Sequence, residues 1–208
     1  MFDTVQISNK FLWGIFIFFA VAVGCYPLIY GFVDMHNKGL LQSKSAELLH
    51  NPLWKSFFFF HISFGGMALL TGWYQFIQKR RQRYLNLHRW LGRFYGIAVL
   101  ISGTAGLYIA FYATGGLISI LGFGLLALCW LFSDVMGYVA IRKLDVLSHK
   151  KWMIRNYALT FAAVTLRVWL PLMMLPFFHI AFLDAYHVVA WLCWVPNLIA
   201  AEMFIRNR

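Results

Sequence analysis

Apolar residues run through this chain in six long stretches, at about 11–33, 55–78, 87–112, 116–141, 150–177 and 184–205, parted by polar joints. Each has roughly the 20 residues that a helix needs to cross a hydrocarbon core. The pattern predicts an all-α integral membrane bundle of six transmembrane helices, one domain over residues 1–208, with both termini cytoplasmic. One joint is longer than the rest. Residues 34–54 carry Asp34, Lys38, Lys44 and the run Glu47-Leu48-Leu49-His50, so a short interfacial helix is expected there, ended near Pro52.

The joints also set the orientation. Lys79-Arg80-Arg81-Gln82-Arg83 with Arg89, then Arg142, Lys143, Lys150 and Lys151, then Arg206 and Arg208, all fall on one side if six helices alternate. Short basic loops stay in the cytoplasm, so that side is the inner one. Trp54, Trp73, Tyr74, Trp90 and Trp152 at the span ends are expected to form an interfacial belt.

Composition narrows the picture. The chain is 62% hydrophobic and 12% charged, against about half apolar and a quarter charged in soluble domains, and its mean hydropathy is +0.69. Six spans leave no room for a soluble catalytic domain, so the partner implied is the lipid bilayer. A net charge of +11 would suggest nucleic acid in a soluble protein; here it is a topology signal, and no nucleic acid is expected. Cys25, Cys129 and Cys193 sit in apolar spans, form no CxxC pair and are read as packing residues. The first span is too long for the core of a signal peptide and lacks a convincing cleavage site, so it reads as an uncleaved anchor.

Polar side chains inside a membrane are costly and therefore candidate functional groups. His36, His50 and His179 fall in or beside outer joints. The other histidines occupy four different helices, and the helical rise of about 1.5 Å per residue places His61 and His187 in the outer half and His88 and His149 near the inner face. Two pairs at two heights are what two stacked haems require. His61 leads a face of Gly65, Ala68, Gly72 and Gln75, and His88 leads one of Gly92, Gly96, Gly103 and Gly106. Such glycines serve either close helix packing or room for a flat porphyrin beside an imidazole ligand. His149 begins a face of Met153, Asn156, Thr160 and Arg167. Arg155 and Arg167 lie at the two heights and suit haem propionates; the other reading is ion pairing, with Asp134 level with Arg155 and Asp184 near Arg167. In the last span Pro196 should break the helix and free a carbonyl that Asn197 is placed to satisfy. Glu202, near the inner face, is read as a partner for Arg89 or Arg93, with a proton-handling role at a quinol site as the alternative.

His61-Ile-Ser-Phe-Gly65, Gly72-Trp-Tyr-Gln75, Leu87-His88-Arg89-Trp90-Leu91-Gly92-Arg93, His149-Lys-Lys-Trp152-Met153-Ile154-Arg155-Asn156 and Trp194-Val-Pro196-Asn197 resemble an uncharacterised bacterial family of multi-pass proteins, the domain of unknown function 2306. The likeness covers about residues 55–205 and implies a bacterial cytoplasmic membrane, with no established activity. The His88-Arg89-xx-Gly92 element is also similar to one in two-haem cytochromes of the b-561 kind. That likeness implies His88, His149, His61 and His187 as haem-iron ligands, although here the fourth span supplies no histidine and His187 stands in its place. The expected function is transmembrane electron transfer through haem b, one or two groups, from a quinol or cytoplasmic donor to an outer acceptor. The alternatives are a non-catalytic accessory subunit of a larger membrane complex, or of a homo-oligomer, and last a transporter.

Overall fold

The computed structural model describes residues 10–32, 39–77 and 83–207. Asp34, His36, Lys38, Lys79, Arg80, Arg81, Gln82 and Arg208, and with them part of the charge pattern read above, lie outside the described residues. Among those residues the secondary structure is helical throughout, with no strand. The helices are α1 (Lys10–Cys25, continued by a 3-10 segment Tyr26–Gly31), α2 (Ala46–His50), α3 (Pro52–Gln75), α4 (Leu85–Ala110), α5 (Leu117–Arg142), α6 (Val146–Thr160), α7 (Ala162–Met173), α8 (Phe182–Leu192) and α9 (Val195–Arg206).

Among the described residues five stretches are long and apolar enough to cross a membrane: Lys10–Tyr30, Pro52–Gln75, Leu85–Ala110, Leu117–Arg142 and Phe182–Arg206. They fall on five of the six apolar runs. The remaining run is built as α6 and α7, of 15 and 12 residues, meeting at Phe161. The break is slight: the Phe161 amide donates to Tyr157 O at 2.9 Å, and the Val164 amide donates to Phe161 O at 2.9 Å. α6 begins within the polar joint and carries His149, Lys150, Lys151, Arg155 and Asn156, which is why it does not read as an apolar span. Pro196 breaks the last run between α8 and α9 as expected, and Asn197 Nδ2 donates to the Cys193 carbonyl at 3.0 Å. Prolines at the first turn and freed carbonyls met by side chains are how such breaks are tolerated in apolar surroundings.

α3 packs on α4, α4 on α5, α5 on α6 and α8, α6 on α9, and α1 lies against α3 and α7. Small residues set the closest approaches. A Cβ at Gly66 would stand 2.5 Å from Gly24 O, and one at Gly122 2.9 Å from the Ala190 Cβ; both sites use absent side chains to bring backbones together. The interior holds Tyr95, Val99, Trp130, Tyr157, Val189 and Cys193, whereas Phe11, Phe18, Trp90 and Phe132 are exposed on the outside of the bundle. An apolar exterior around a polar-centred interior is the distribution a lipid bilayer imposes.

One end of the bundle carries Arg83, Arg142, Lys143, Lys150, Lys151 and Arg206 and is called the basic end here. The far end is covered by a 3-10 segment, Gly39–Ser43, and α2. Ser45 caps α2 by accepting from the Leu48 amide, and Asn51 caps α3 by accepting from Leu53 and Trp54. This cover is fastened by Ser43 Oγ to Thr114 Oγ1 at 2.8 Å and by Lys44 Nζ donating to Tyr112 O. The short helix before Pro52 is therefore present. Trp54 departs from the expected belt: it is 2% exposed, buried with Leu41 and Leu49 and stacked on Phe58.

Candidate functional site

α6 is amphipathic around a short polar ridge, and that ridge enters the middle of the bundle. Asn156 is fully buried and acts as its hub. Its Nδ2 donates to Trp130 O and to Ser133 Oγ, each at 2.9 Å, and its Oδ1 accepts from the Tyr95 hydroxyl at 2.5 Å. Thr160, one turn on, lies 2.7 Å from the Tyr95 hydroxyl, receives the Trp130 indole N–H at 2.8 Å, and donates to Asn156 O at 3.0 Å. Ser133 Oγ donates to Trp130 O. Tyr157 reaches the other way, its hydroxyl donating to Leu69 O at 3.1 Å. α4, α5 and α6 are thus joined by one network in which every named group has a partner, the arrangement a low-dielectric interior requires.

The four candidate histidines stand around this network at separate helix contacts. His61 lies between α3 and α4: its Nδ1–H donates to Ser102 O at 3.0 Å, and Ser102 Oγ donates back to His61 O at 2.7 Å. The imidazole rests on Gly106, where a Cβ would be 2.8 Å from Nδ1. His149 lies between α6 and α5, its Nδ1–H donating to Gly137 O at 2.9 Å. His187 lies between α8 and the α4–α5 connection, where Nε2–H donates to Gly115 O at 2.7 Å. Gly115 has φ +93, and a Cβ there would meet Nε2 at 2.5 Å. His88 lies in the first turn of α4 at the basic end, where its carbonyl accepts from Gln75 Nε2 at 3.4 Å. Among the described residues no hydrogen bond joins His61 to His187 or His88 to His149, and no group of three or more His, Cys, Asp or Glu side chains is gathered for a metal ion.

The glycine faces divide in the same way. Most positions are filled by protein: a Cβ at Gly65 would be 3.0 Å from Ser102 Oγ, one at Gly103 2.7 Å from Leu131, and one at Gly72, nearer the basic end, 2.2 Å from Tyr157. At Gly92 and Gly96 the packing is ordinary rather than tight. Gly92 faces Gln75 Nε2 no closer than 3.9 Å, and Gly96 faces both Asp134 carboxylate oxygens at 3.6 Å.

The arginines correct the expected pairings. Arg155 joins Glu202 of α9 through Nε to Oε1 and through Nη2 to Oε2 at 2.9 Å, and lies over the Trp152 ring at 4.7 Å. Glu202 is therefore the partner of Arg155, not of Arg89 or Arg93, because the break at Pro196 turns α9 onto α6. Arg155 in turn does not pair with Asp134. Arg167 donates to Ala163 O at 2.8 Å and lies over the Tyr26 ring at 4.7 Å, while Asp184 is exposed on α8. Outside the spans, burial lowers the Lys44 ammonium to about 8, and the amide and hydroxyl of Ser148 hold the Asp145 carboxyl below its ordinary range.

The sequence pointed to Asn156, Thr160 and Asp134 but not to Tyr95, Trp130, Ser133 or Ser102. Tyr95 follows His88 by seven residues and Ser102 follows Tyr95 by seven, so the polar face of α4 was present in the spacing. In a chain that is 19% aromatic, a tyrosine carries no signal until its hydroxyl is seen to have partners.

The family model described as "Predicted membrane protein (DUF2306)" matches residues 58–205. No curated protein and no solved structure matches the chain.

Proposed function

The chain belongs to the family of predicted membrane proteins DUF2306, and from that premise we propose that it is a haem b-binding electron-transfer protein of the bacterial cytoplasmic membrane. In this reading the α6–α7 run completes a sixth crossing, and the basic end and both termini face the cytoplasm. The carrying observation is His149. Its Nδ1–H bond to Gly137 O fixes the ring and its tautomer and leaves Nε2 for an iron, the arrangement that a backbone carbonyl gives to a ligating imidazole.

The reading draws on the residues of the basic end. His88 and His149 would hold it from α4 and α6, and Arg155 of α6 offers a guanidinium to an anionic edge, although Glu202 already shares it. When bound, haem b supplies one-electron chemistry at a potential set by these ligands and by burial. The far end supports the reading less: Leu131 and the His61 ring fill the space over Gly103 and Gly106, and His187 is turned to Gly115 O. One haem, at the inner level, is the proposal.

An absorption spectrum of protein purified from haem-replete cells tests it. A reducible Soret and α band is expected, lost in His149→Ala and in His88→Ala and kept in His187→Ala; no band in the unaltered protein sinks the reading. An accessory-subunit role is supported by the polar core itself, whose named groups are satisfied by one another. Stoichiometric partners co-purifying with cofactor-free protein would favour it.

A further inference from the structure

Two arginines of α4 stand on the outside of the bundle. Arg89 and Arg93 are exposed, and Ile97 and Leu100, 56% and 42% exposed, continue the same helical face. Among the described residues neither arginine is in an ion pair. The carboxylates of this half of the bundle are engaged or turned away: Glu202 is held by Arg155, Asp145 accepts from the Ser148 amide, and Asp134 is buried inside. Trp90, 62% exposed, lies next to the pair and stacks on Phe94, with ring centroids 6.0 Å apart and planes within 5°.

Arg93 is eight residues past the helix start at Leu85, about 12 Å along the axis. An outward cation at that depth is costly in hydrocarbon, and two like charges one turn apart repel. Helical side chains lean toward the N-terminus, here the basic end, and a long arginine stem carries its head to the membrane surface. Both heads therefore come to the level where a tryptophan such as Trp90 settles, among the lipid headgroups. Three kinds of anion meet the need on charge alone. A nucleic acid finds apolar turns on the same face. A free phosphate has no use for those turns. A lipid phosphate uses both, because it fits the planar fork of a guanidinium and brings acyl chains for the apolar turns.

We propose that Arg89 and Arg93, with Trp90 and the apolar turns of Ile97 and Leu100, bind one anionic phospholipid. Its phosphate accepts from both guanidiniums, and an acyl chain lies along Ile97 and Leu100. A zwitterionic lipid brings an ammonium to the same two cations, so the site selects headgroups of net negative charge. Neither haem nor the direction in which the bundle crosses the membrane enters this site.

Native mass spectrometry of the full-length protein in a non-ionic detergent, titrated with dioleoylphosphatidylglycerol and with dioleoylphosphatidylcholine, tests this. The anionic lipid should bind at least about tenfold more tightly, since each basic side chain at an anionic surface contributes about fivefold and two act here. Arg89→Gln combined with Arg93→Gln should abolish the preference. Lys143→Gln combined with Arg206→Gln removes as much charge from the same end and should keep it. Where the arginine pair variant fails to fold, Arg93→Gln alone takes its place and should lose about fivefold. Equal affinity for the two lipids, a preference that survives loss of both arginines, or equal losses in the two double variants overturns the proposal. So does displacement of the lipid by inorganic phosphate at constant ionic strength, which would make this a site for a free anion.

Discussion

At Gly72 one methyl group decides the packing of three helices. A Cβ there would lie 2.2 Å from the Tyr157 ring and 2.8 Å from the Tyr95 ring, and both rings are held by hydroxyl bonds, so neither can yield cheaply. Gly72→Ala should cost about 3 kcal/mol, the upper range for overpacking. Gly124→Ala, with nothing within 4 Å of the new atom, should gain up to about 1 kcal/mol of helix propensity. Thermal unfolding in detergent separates the two, and equal effects would contradict the packing described. Tyr95→Phe removes one hydroxyl and strips a partner from Asn156 and from Thr160. A loss of about 1–3 kcal/mol is expected; a neutral outcome would mean that water enters the network. What was legible at this scale was cost. Asn156 and Asp134 stood out because they are polar in apolar runs, and both are buried. Tyr95 and Trp130 did not, because their polar atoms are the small ends of large apolar bodies.

Helices were legible wherever their faces are uniformly apolar and less so where a face is polar. α3, α4 and α5 fall within a few residues of their predicted runs. α6 does not: its start at Val146 is set by Asp145, which accepts from the Ser148 amide at 2.9 Å, and its ridge dilutes the apolar signal. The far-end cover is the other element that local chemistry builds. Its Lys44 is fastened to Tyr112 O and held by burial at about 8, against an ordinary 10.5. The folded value lies below the unfolded one, so between them the unfolded chain binds a proton that the folded chain does not. Stability therefore rises with pH across that window and is indifferent to this group below it. Melting temperatures at a series of pH values should show the wild-type protein gaining on Lys44→Met from about pH 8 upward. A falling difference, or none, would mean that the cover does not bury this side chain.

The arrangement of the whole molecule follows from which connections meet. Ser43 with Thr114 and His187 with Gly115 gather two connections and α8 at the far end; Arg155 with Glu202 and His149 with Gly137 tie the other end together. The positions of five long apolar helices were readable from the run lengths. The pairing of Arg155 with Glu202 was not, since it depends on how α9 turns after Pro196. The number of crossings depends on the α6–α7 run, whose two pieces are each shorter than the about 20 residues of a crossing but continue through Phe161. Leu144 and Phe177 flank that run, and each is 84% exposed. In a background without the three native cysteines, Leu144→Cys and Phe177→Cys can be reacted with a membrane-impermeant thiol reagent in intact and in opened cells. If the run crosses and the basic end is cytoplasmic, Phe177→Cys labels in intact cells and Leu144→Cys only after opening. The reverse pattern inverts the orientation, because the short basic loops would then face outward. Labelling of both from one side would show that α6 and α7 turn back within the membrane, which would put His149 and the Asn156 ridge in a re-entrant segment and deny them a place in a sixth span.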